Sequence, residues 1–318
     1  MNAQSLPPTL DLDLMREALS TSTLSHGLKL LGDRWTVQVL MGAFIGIQRF
    51  DDFHNRLGIP RHTLSDRLKA LVTMDMLRPR LYQERPERYG YHLTAKGMAM
   101  YDAVLMVWDW EHRFGDREIT LPGRLIHRNC AHAFMPQLTC RACNEQVTLH
   151  DLHYRLRPNP HLPHDTAQPM RTPRVSAGDG PSMSLGLRLD RWALMIVAAV
   201  TLGCRYFDEL SHVLRIGPSV LARRLASMAE AGLLKTEPDP GDGRRRLYRL
   251  TPASRALFGY IVCFAAWASE HHFNEPSSIA PVHRACGKPF VAQATCSHCH
   301  QRLMPWEVDF ELNPGAQA

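Results

Sequence analysis

Six of the eight cysteines stand in two matching strings. The first reads His127-Arg128-Asn129-Cys130, nine residues, then Cys140-Arg141-Ala142-Cys143. The second reads His283-Arg284-Ala285-Cys286, nine residues, then Cys296-Ser297-His298-Cys299. Ligands two residues apart suit tight turns, and one imidazole with three thiolates fills the tetrahedral shell of structural zinc. With four protein ligands no position remains for a reactive water. The expectation is a small zinc-ribbon-like Cys/His knuckle in each string and up to two structural zinc ions. His127, Cys130, Cys140 and Cys143 form one candidate set, and His283, Cys286, Cys296 and Cys299 the other. His132 competes with His127, and His298 and His300 compete with His283. Two other chemistries stay open: a knuckle packed without metal, and a redox dithiol, which needs a partly exposed cysteine of low pKa. Cys204 and Cys263 lie in apolar runs and read as small core residues.

The strings travel with a larger repetition. Gly32-Asp33-Arg34-Trp35, Arg49-Phe50-Asp51-Asp52-Phe53, Leu64-Ser65-Asp66-Arg67-Leu68 and Tyr91-His92-Leu93-Thr94 return as Leu189-Asp190-Arg191-Trp192, Tyr206-Phe207-Asp208-Glu209-Leu210, Leu221-Ala222-Arg223-Arg224-Leu225 and Tyr248-Arg249-Leu250-Thr251. Trp35 and Trp192 are 157 residues apart, a spacing kept through Thr94 and Thr251, whereas His127 and His283 are 156 apart. A period of that length means a duplicated domain; solenoid repeats run to roughly 20–50 residues.

Within one copy the periodicity supplies the elements. Leu24, Leu28, Leu31, Trp35 and Val39 keep helical spacing, with glycines 42 and 46 closing the segment. Gln48 to Phe50 suits a short strand. Asp51 suits the N-cap of a helix that Gly58 stops. Pro60-Arg61 opens another helix with Leu64, Leu68 and Leu71 on one face. Leu77 to Leu93 reads as a two-stranded ribbon around a basic turn, and a last helix runs from Thr94 through Trp108 and Trp110. This order is that of a winged helix-turn-helix. The quoted motifs, with Gly58-Ile59 and Thr94-Ala95-Lys96-Gly97, resemble the HxlR-type transcriptional regulators over about ninety residues of each copy. Family members often carry a cysteine before the first core helix and are usually single-module dimers. Here that region reads Leu24-Ser25-His26, and both modules share one chain.

The resemblance implies binding to double-stranded DNA. A helix in the major groove turns one face to its core and presents the other to base edges. With Leu64, Leu68 and Leu71 inward, His62, Asp66 and Lys69 point outward, flanked by Thr63 and Ser65. With Leu221, Leu225 and Met228 inward, Ser219, Arg223 and Ala226 point outward. Asp66 accepts hydrogen bonds, whereas Arg223 can fork onto a guanine, so the halves are expected to read unlike half-sites. Arg61, Arg67 and Arg224 flank these faces; Arg67 and Arg224, nearer the core edge, suit a salt bridge or a phosphate. Arg85 and Arg88 on the first wing, and Arg244, Arg245 and Arg246 on the second, suit phosphate contacts. The second wing is also similar to that of MarR-type regulators.

The remaining bulk features bound the class. The chain has 318 residues, 45% of them hydrophobic, and a formal charge of +6, which favours a polyanionic partner. It shows no secretory order at its start and no apolar run long enough to span a bilayer, so a cytoplasmic location is expected. No phosphate-binding glycine loop or nucleophile elbow occurs, and a non-enzyme is expected.

The expected architecture is mainly α with small β (α+β). Residues 1–23 form a frayed or weakly helical lead, 24–118 the first winged domain and 119–150 the first knuckle. Residues 151–184 form a Pro-rich linker with His150, His153, His161 and His164 in or beside it as solvated residues. The second winged domain follows at 185–275, and the second knuckle and tail at 276–318. The chain is expected to act as an intramolecular pseudo-dimer, with a possible homodimer through the last helices. One module serving as a protein-interaction or effector-sensing unit is the other organisation the sequence allows.

Overall fold

A computed structural model describes residues 11–115, 122–164 and 190–312. The first winged domain contains α1 (Leu12–Ser20), α2 (Thr23–Leu31), α3 (Arg34–Phe44), α4 (Phe50–Leu57), α5 (Arg61–Thr73), β1 (Leu77–Glu84), β2 (Glu87–Leu93), α6 (Ala95–Met98) and α7 (Tyr101–Phe114). Its knuckle supplies β3 (Pro122–His127), β4 (His132–Phe134), β5 (Pro136–Cys140) and β6 (Leu152–Leu156). The second winged domain has α8 (Arg191–Leu202), α9 (Phe207–Leu214), α10 (Pro218–Glu230), β7 (Leu234–Pro238), β8 (Arg246–Leu250) and α11 (Pro252–Trp267). Its knuckle supplies β9 (Ile279–His283), β10 (Ala292–Cys296) and β11 (Val308–Leu312). No helix among the described residues is long and apolar enough to cross a membrane.

Several elements differ from the sequence expectation for local reasons. The single helix expected from Leu24 to Val39 is two, because Gly32 ends α2 and Asp33 caps α3, its carboxylate accepting from the amides of Trp35 and Thr36. A side-chain oxygen in that position satisfies amides that have no intrahelical partner. The strand expected at Gln48–Phe50 shrinks to one bridge, Arg49 with Gly90, and the following helix starts at Phe50 with Arg49 as N-cap rather than Asp51. The last helix of the first domain is broken between α6 and α7. The described part of the lead, from Asp11, is helical: Asp11 caps α1, and Met15, Ala18 and Leu19 are buried. Its polar side meets α9, where Asp13 contacts His212 at 3.0 Å and Glu17 contacts Arg215 at 2.8 Å.

The segment expected to be a linker begins as structure. Leu152–Leu156 is β6, paired antiparallel with β9, and the Asn159 amide donates to the Thr21 hydroxyl at 3.0 Å. His164, expected to be solvated, sits 3.1 Å from Glu17. The prolines at 169, 173 and 181, the glycines at 178 and 180, Pro7-Pro8 and Leu189 lie outside the described residues.

The last helices, α7 and α11, pack on each other within the chain. Trp110 of α7 donates its indole N–H to the Ala253 carbonyl at 2.6 Å. Trp267 of α11 donates to the Lys96 carbonyl at 3.0 Å. Trp108 stays within its own half, donating to the Pro122 carbonyl at 2.8 Å. Trp108, Trp110 and Trp267 are buried, so the surface considered for a homodimer is an internal seam.

The knuckles are interlaced. β5 pairs with β10, β3 with β11 and β9 with β6, all antiparallel. Shifting by 156 residues turns the β3–β11 pair into the β9–β6 pair, the reciprocal pattern of a two-fold interface. Each half therefore contributes its final strand to the sheet of the other.

Candidate nucleic-acid interface and paired Cys/His centres

The two candidate recognition helices, α5 and α10, bury the leucine faces that the periodicity assigned them. Leu64, Leu68 and Leu71 are buried in α5, and Leu221, Leu225 and Met228 in α10. The opposite faces are open. His62 is 92% exposed and lies 3.4 Å from Asp66, itself about half exposed. Lys69, Ser219, Arg223 and Ala226 are exposed, while Thr63 and Ser65 are half-buried.

Arg67 and Arg224 have another task. Arg67 Nε donates to Asp33 Oδ1 at 3.1 Å, and Arg224 Nη1 lies 3.3 Å from Asp190 Oδ2. Each arginine ties a candidate recognition helix to the aspartate capping the core helix behind it. Burial raises the pKa of the Asp190 carboxyl, and the Arg224 guanidinium and the capping amides oppose that rise. Arg61 pairs with Asp51 at 2.8 Å and covers the Phe50 ring.

The wing arginines also separate into two groups. Arg245 Nη2 donates to both Asp208 carboxylate oxygens, at 2.9 and 3.0 Å, and the guanidinium lies 3.9 Å above the Tyr206 ring. Arg244 and Arg246 are exposed, as are Arg85 and Arg88 on the first wing. Asp239 shapes the second turn by accepting from the amides of Gly241 and Asp242 and from the Tyr206 hydroxyl. Arg78 and Arg80, not singled out from sequence, are exposed on β1. Two-residue alternation puts them on one face, and that alternation was the signal available. Burial and the Arg80 and Arg78 charges lower the pKa of nearby His92.

The Cys/His residues gather differently from the two local sets. His127, Cys130, Cys296 and Cys299 form one group, and Cys140, Cys143, His283 and Cys286 the other. The reason is the β5–β10 register, in which Cys296 lies opposite Pro136 and Cys140 opposite Ala292. The extended β5 carries Cys140 about 14 Å along the ribbon from Pro136, away from Cys130. Each local half-set therefore meets the complementary half-set of the other repeat.

Both groups have the donors and spacing of a closed metal shell. Ligand sulfurs about 2.3 Å from a tetrahedral zinc are about 3.8 Å apart; Cys130 and Cys296 Sγ are 3.9 Å apart. His127 Nδ1 lies 3.5 Å from Cys130 Sγ and 3.3 Å from Cys299 Sγ. His283 Nδ1 lies 3.4 Å from Cys286 Sγ and 3.3 Å from Cys143 Sγ. The other nitrogen of buried His127 has no hydrogen-bond partner among the described residues, and Glu307 lies 4.0 Å from it. A carboxylate behind a ligating imidazole orients the ring and raises its basicity. Asp151, which holds the equivalent place in the first repeat, interacts electrostatically with His283.

The backbone N–H of Lys288 helps lower the Cys286 thiol to about 7, whereas burial pushes Cys296 up to about 11. The competing histidines are elsewhere: His132 and His298 stack on each other at 3.6 Å, grouped only with Cys130, and His300 joins none of these groups. Cys204 and Cys263 are buried away from both centres.

Comparison with known proteins identifies the two repeated helix-turn-helix regions. Residues 30–119 and 188–276 each match the HxlR-like helix-turn-helix family. An uncharacterised HTH-type transcriptional regulator of Mycobacterium tuberculosis is 35% identical over 139 residues, covering 41% of this chain and 88% of that protein. An uncharacterised HTH-type regulator of Synechocystis is 30% identical over 93 residues, covering 29% of this chain and 66% of that protein. A solved Pseudomonas aeruginosa protein described as a candidate transcription factor shares 33% identity, covers 31% of this chain and 68% of its own, and has a TM-score of 0.26. With both winged domains matched, the chain belongs to the HxlR-like helix-turn-helix family of transcriptional regulators.

Proposed function

We propose that this protein is a sequence-specific, double-stranded DNA-binding regulator that engages two half-sites as a covalent pseudo-dimer. The observation that carries this reading is the exposure of the polar side of α5 and α10, each opposite a buried leucine stripe. In the major groove, His62, Asp66 and Lys69 would meet one half-site, and Ser219 and Arg223 the other. Arg85, Arg88, Arg244 and Arg246 would hold phosphates, giving salt-sensitive affinity without sequence information. Covalent linkage raises the effective concentration of the second helix once the first has docked. The M. tuberculosis relative supports a duplicated single module, because 41% of this chain covers 88% of it.

The two Cys/His groups would each hold a structural zinc ion. Such an ion supplies four-coordinate cross-linking and leaves no open position for a reactant. His127, Cys130, Cys296 and Cys299 would hold one, and Cys140, Cys143, His283 and Cys286 the other. Because each group draws on both repeats, the ions would set how the two winged domains face the duplex.

Footprinting of the full chain on its strongest genomic site tests the DNA reading. Two unlike protected half-sites, about one helical turn apart or a multiple of it, are expected. Protection of a single half-site would remove joint engagement. A perfect palindrome under one chain would remove the proposal that the helices read different bases.

A further inference from the structure

We infer that α8 and α11 of the second half, closed over by strand β6 of the first, form a binding pocket for a small, uncharged, mainly apolar molecule, and that large side chains fill the equivalent space beside the first half. A cavity of about 280 Å³ lies between α8, α11 and the knuckle strands. Ala198 and Thr201 line it from α8, Ala265 from α11, and Tyr154 and Phe290 from the knuckles.

The duplication provides an internal comparison. At the positions 157 residues earlier stand Met41, Phe44 and Trp108. There, Phe44 packs on Tyr101 with ring centroids 5.3 Å apart, and Trp108 stacks on His112 while donating to the Pro122 carbonyl. Two alanines and a threonine stand here in place of a thioether, a phenyl ring and an indole, and leave the room that those side chains occupy in the first half.

The wall says what would fit. An apolar cavity of about 150 Å³ accommodates benzene, so roughly twice that volume suits a bicyclic aromatic or a molecule of similar bulk. The lining is chiefly aliphatic and aromatic, and Glu270, which is half exposed, is its one carboxylate. An anion would meet no cation there, and a buried ion would lose its hydration. Tyr154, reaching in from β6 of the first repeat, lines the same space, but its hydroxyl is closed off from solvent, so it offers the pocket its ring rather than a hydrogen bond.

The pocket is positioned to transmit its occupancy. It touches α11, which forms the seam with α7, and the strands that interlace the knuckles. An effect on operator affinity rests on the DNA-binding reading, whereas ligand binding does not. The test uses the full chain without DNA and titrates 1-naphthol and indole as probes by calorimetry. Saturable binding at one site per chain is expected for at least 1-naphthol. Ala265→Trp, which restores the first-half residue, should weaken it at least tenfold. Ala198→Met fills the same space and gives the same reading should Ala265→Trp fail to fold. Absence of saturable binding by both probes, or unchanged affinity in a folded filled-pocket variant, overturns the proposal.

Discussion

Leu138 and Ala294, the same position in the two repeats, face each other across the β5–β10 ladder. A residue pairing with its own counterpart marks where a pseudo-two-fold axis passes. The flanking pairs obey it: Cys140 faces Ala292 and Pro136 faces Cys296, which are the same pair with the repeats exchanged. An interface between copies of a module has here become the interior of one chain. A consequence is that neither Cys/His group can be assembled from one repeat.

Pairs of substitutions distinguish crossed from local metal sets. In Cys130→Ser/Cys143→Ser, the crossed arrangement loses a ligand from both groups, whereas local sets would leave His283, Cys286, Cys296 and Cys299 intact. In Cys130→Ser/Cys296→Ser, both losses fall in one crossed group and spare the other. Elemental analysis should find close to two zinc ions in the native protein, about none in the first variant and about one in the second. The opposite order would restore the local sets. Since a structural zinc contributes roughly 10 kcal/mol or more in small zinc domains, chelation should also lower thermal stability sharply.

The outward arginines should separate by role. Arg223→Ala is expected to cost about 1–3 kcal/mol of operator affinity and to relax base preference at one position. Arg244→Ala or Arg246→Ala should weaken binding to all sequences and reduce the salt dependence by about one phosphate contact. Arg245→Ala should alter the salt slope less, because its guanidinium is held by Asp208 and Tyr206. Binding isotherms across a salt series measure all four; equal slopes for the native protein and Arg244→Ala would exclude the wing from the interface.

What the sequence revealed and what it hid follow from the range of the interactions. The leucine stripes of α5 and α10, the ribbon between them and the Cys-x2-Cys turns depend on neighbours a few residues away, and spacing exposes them. The break at Gly32-Asp33 was also local, but the apolar stripe running through Leu31 and Trp35 masked it. The interlacing was hidden because near-identical strands can pair within or between repeats with similar local chemistry. The short spacer between Cys130 and Cys140 was the available hint, since a strand fits there more readily than a return. Arg67 and Arg224 recur in both copies, which signals a shared task, but their partners Asp33 and Asp190 lie 34 residues away in sequence and only the packing brings them together.

Those aspartates should matter unequally. Asp33→Ala and Asp190→Ala each remove an N-cap, at a cost of about 1–2 kcal/mol. The second pair is more enclosed: Arg224 and Asp190 side chains are both 16% exposed, against 35% and 28% for Arg67 and Asp33. Removing Asp190 leaves a cation with little access to water, so Asp190→Ala should exceed Asp33→Ala in destabilisation, and Asp190→Ala/Arg224→Met should recover part of the loss. Chemical denaturation at neutral pH measures the series; equal losses at both sites would mean that the deeper burial of the Arg224–Asp190 pair adds nothing to stability.

The seam between α7 and α11 offers a check on whether the halves form one cooperative unit. Trp110 crosses it to the Ala253 carbonyl, and Trp267 crosses it to the Lys96 carbonyl. Trp110→Phe keeps most of the ring but leaves that carbonyl without its indole donor, and a loss of about 1–3 kcal/mol is expected. Trp110→Ala adds a cavity and should cost about 3–5 kcal/mol. If both repeats unfold together, each substitution shifts a single transition that near-ultraviolet circular dichroism and calorimetry report at the same midpoint. Two separated transitions, with only the earlier one moved by Trp110→Ala, would mean that the winged domains hold their structure independently and that the seam merely joins them.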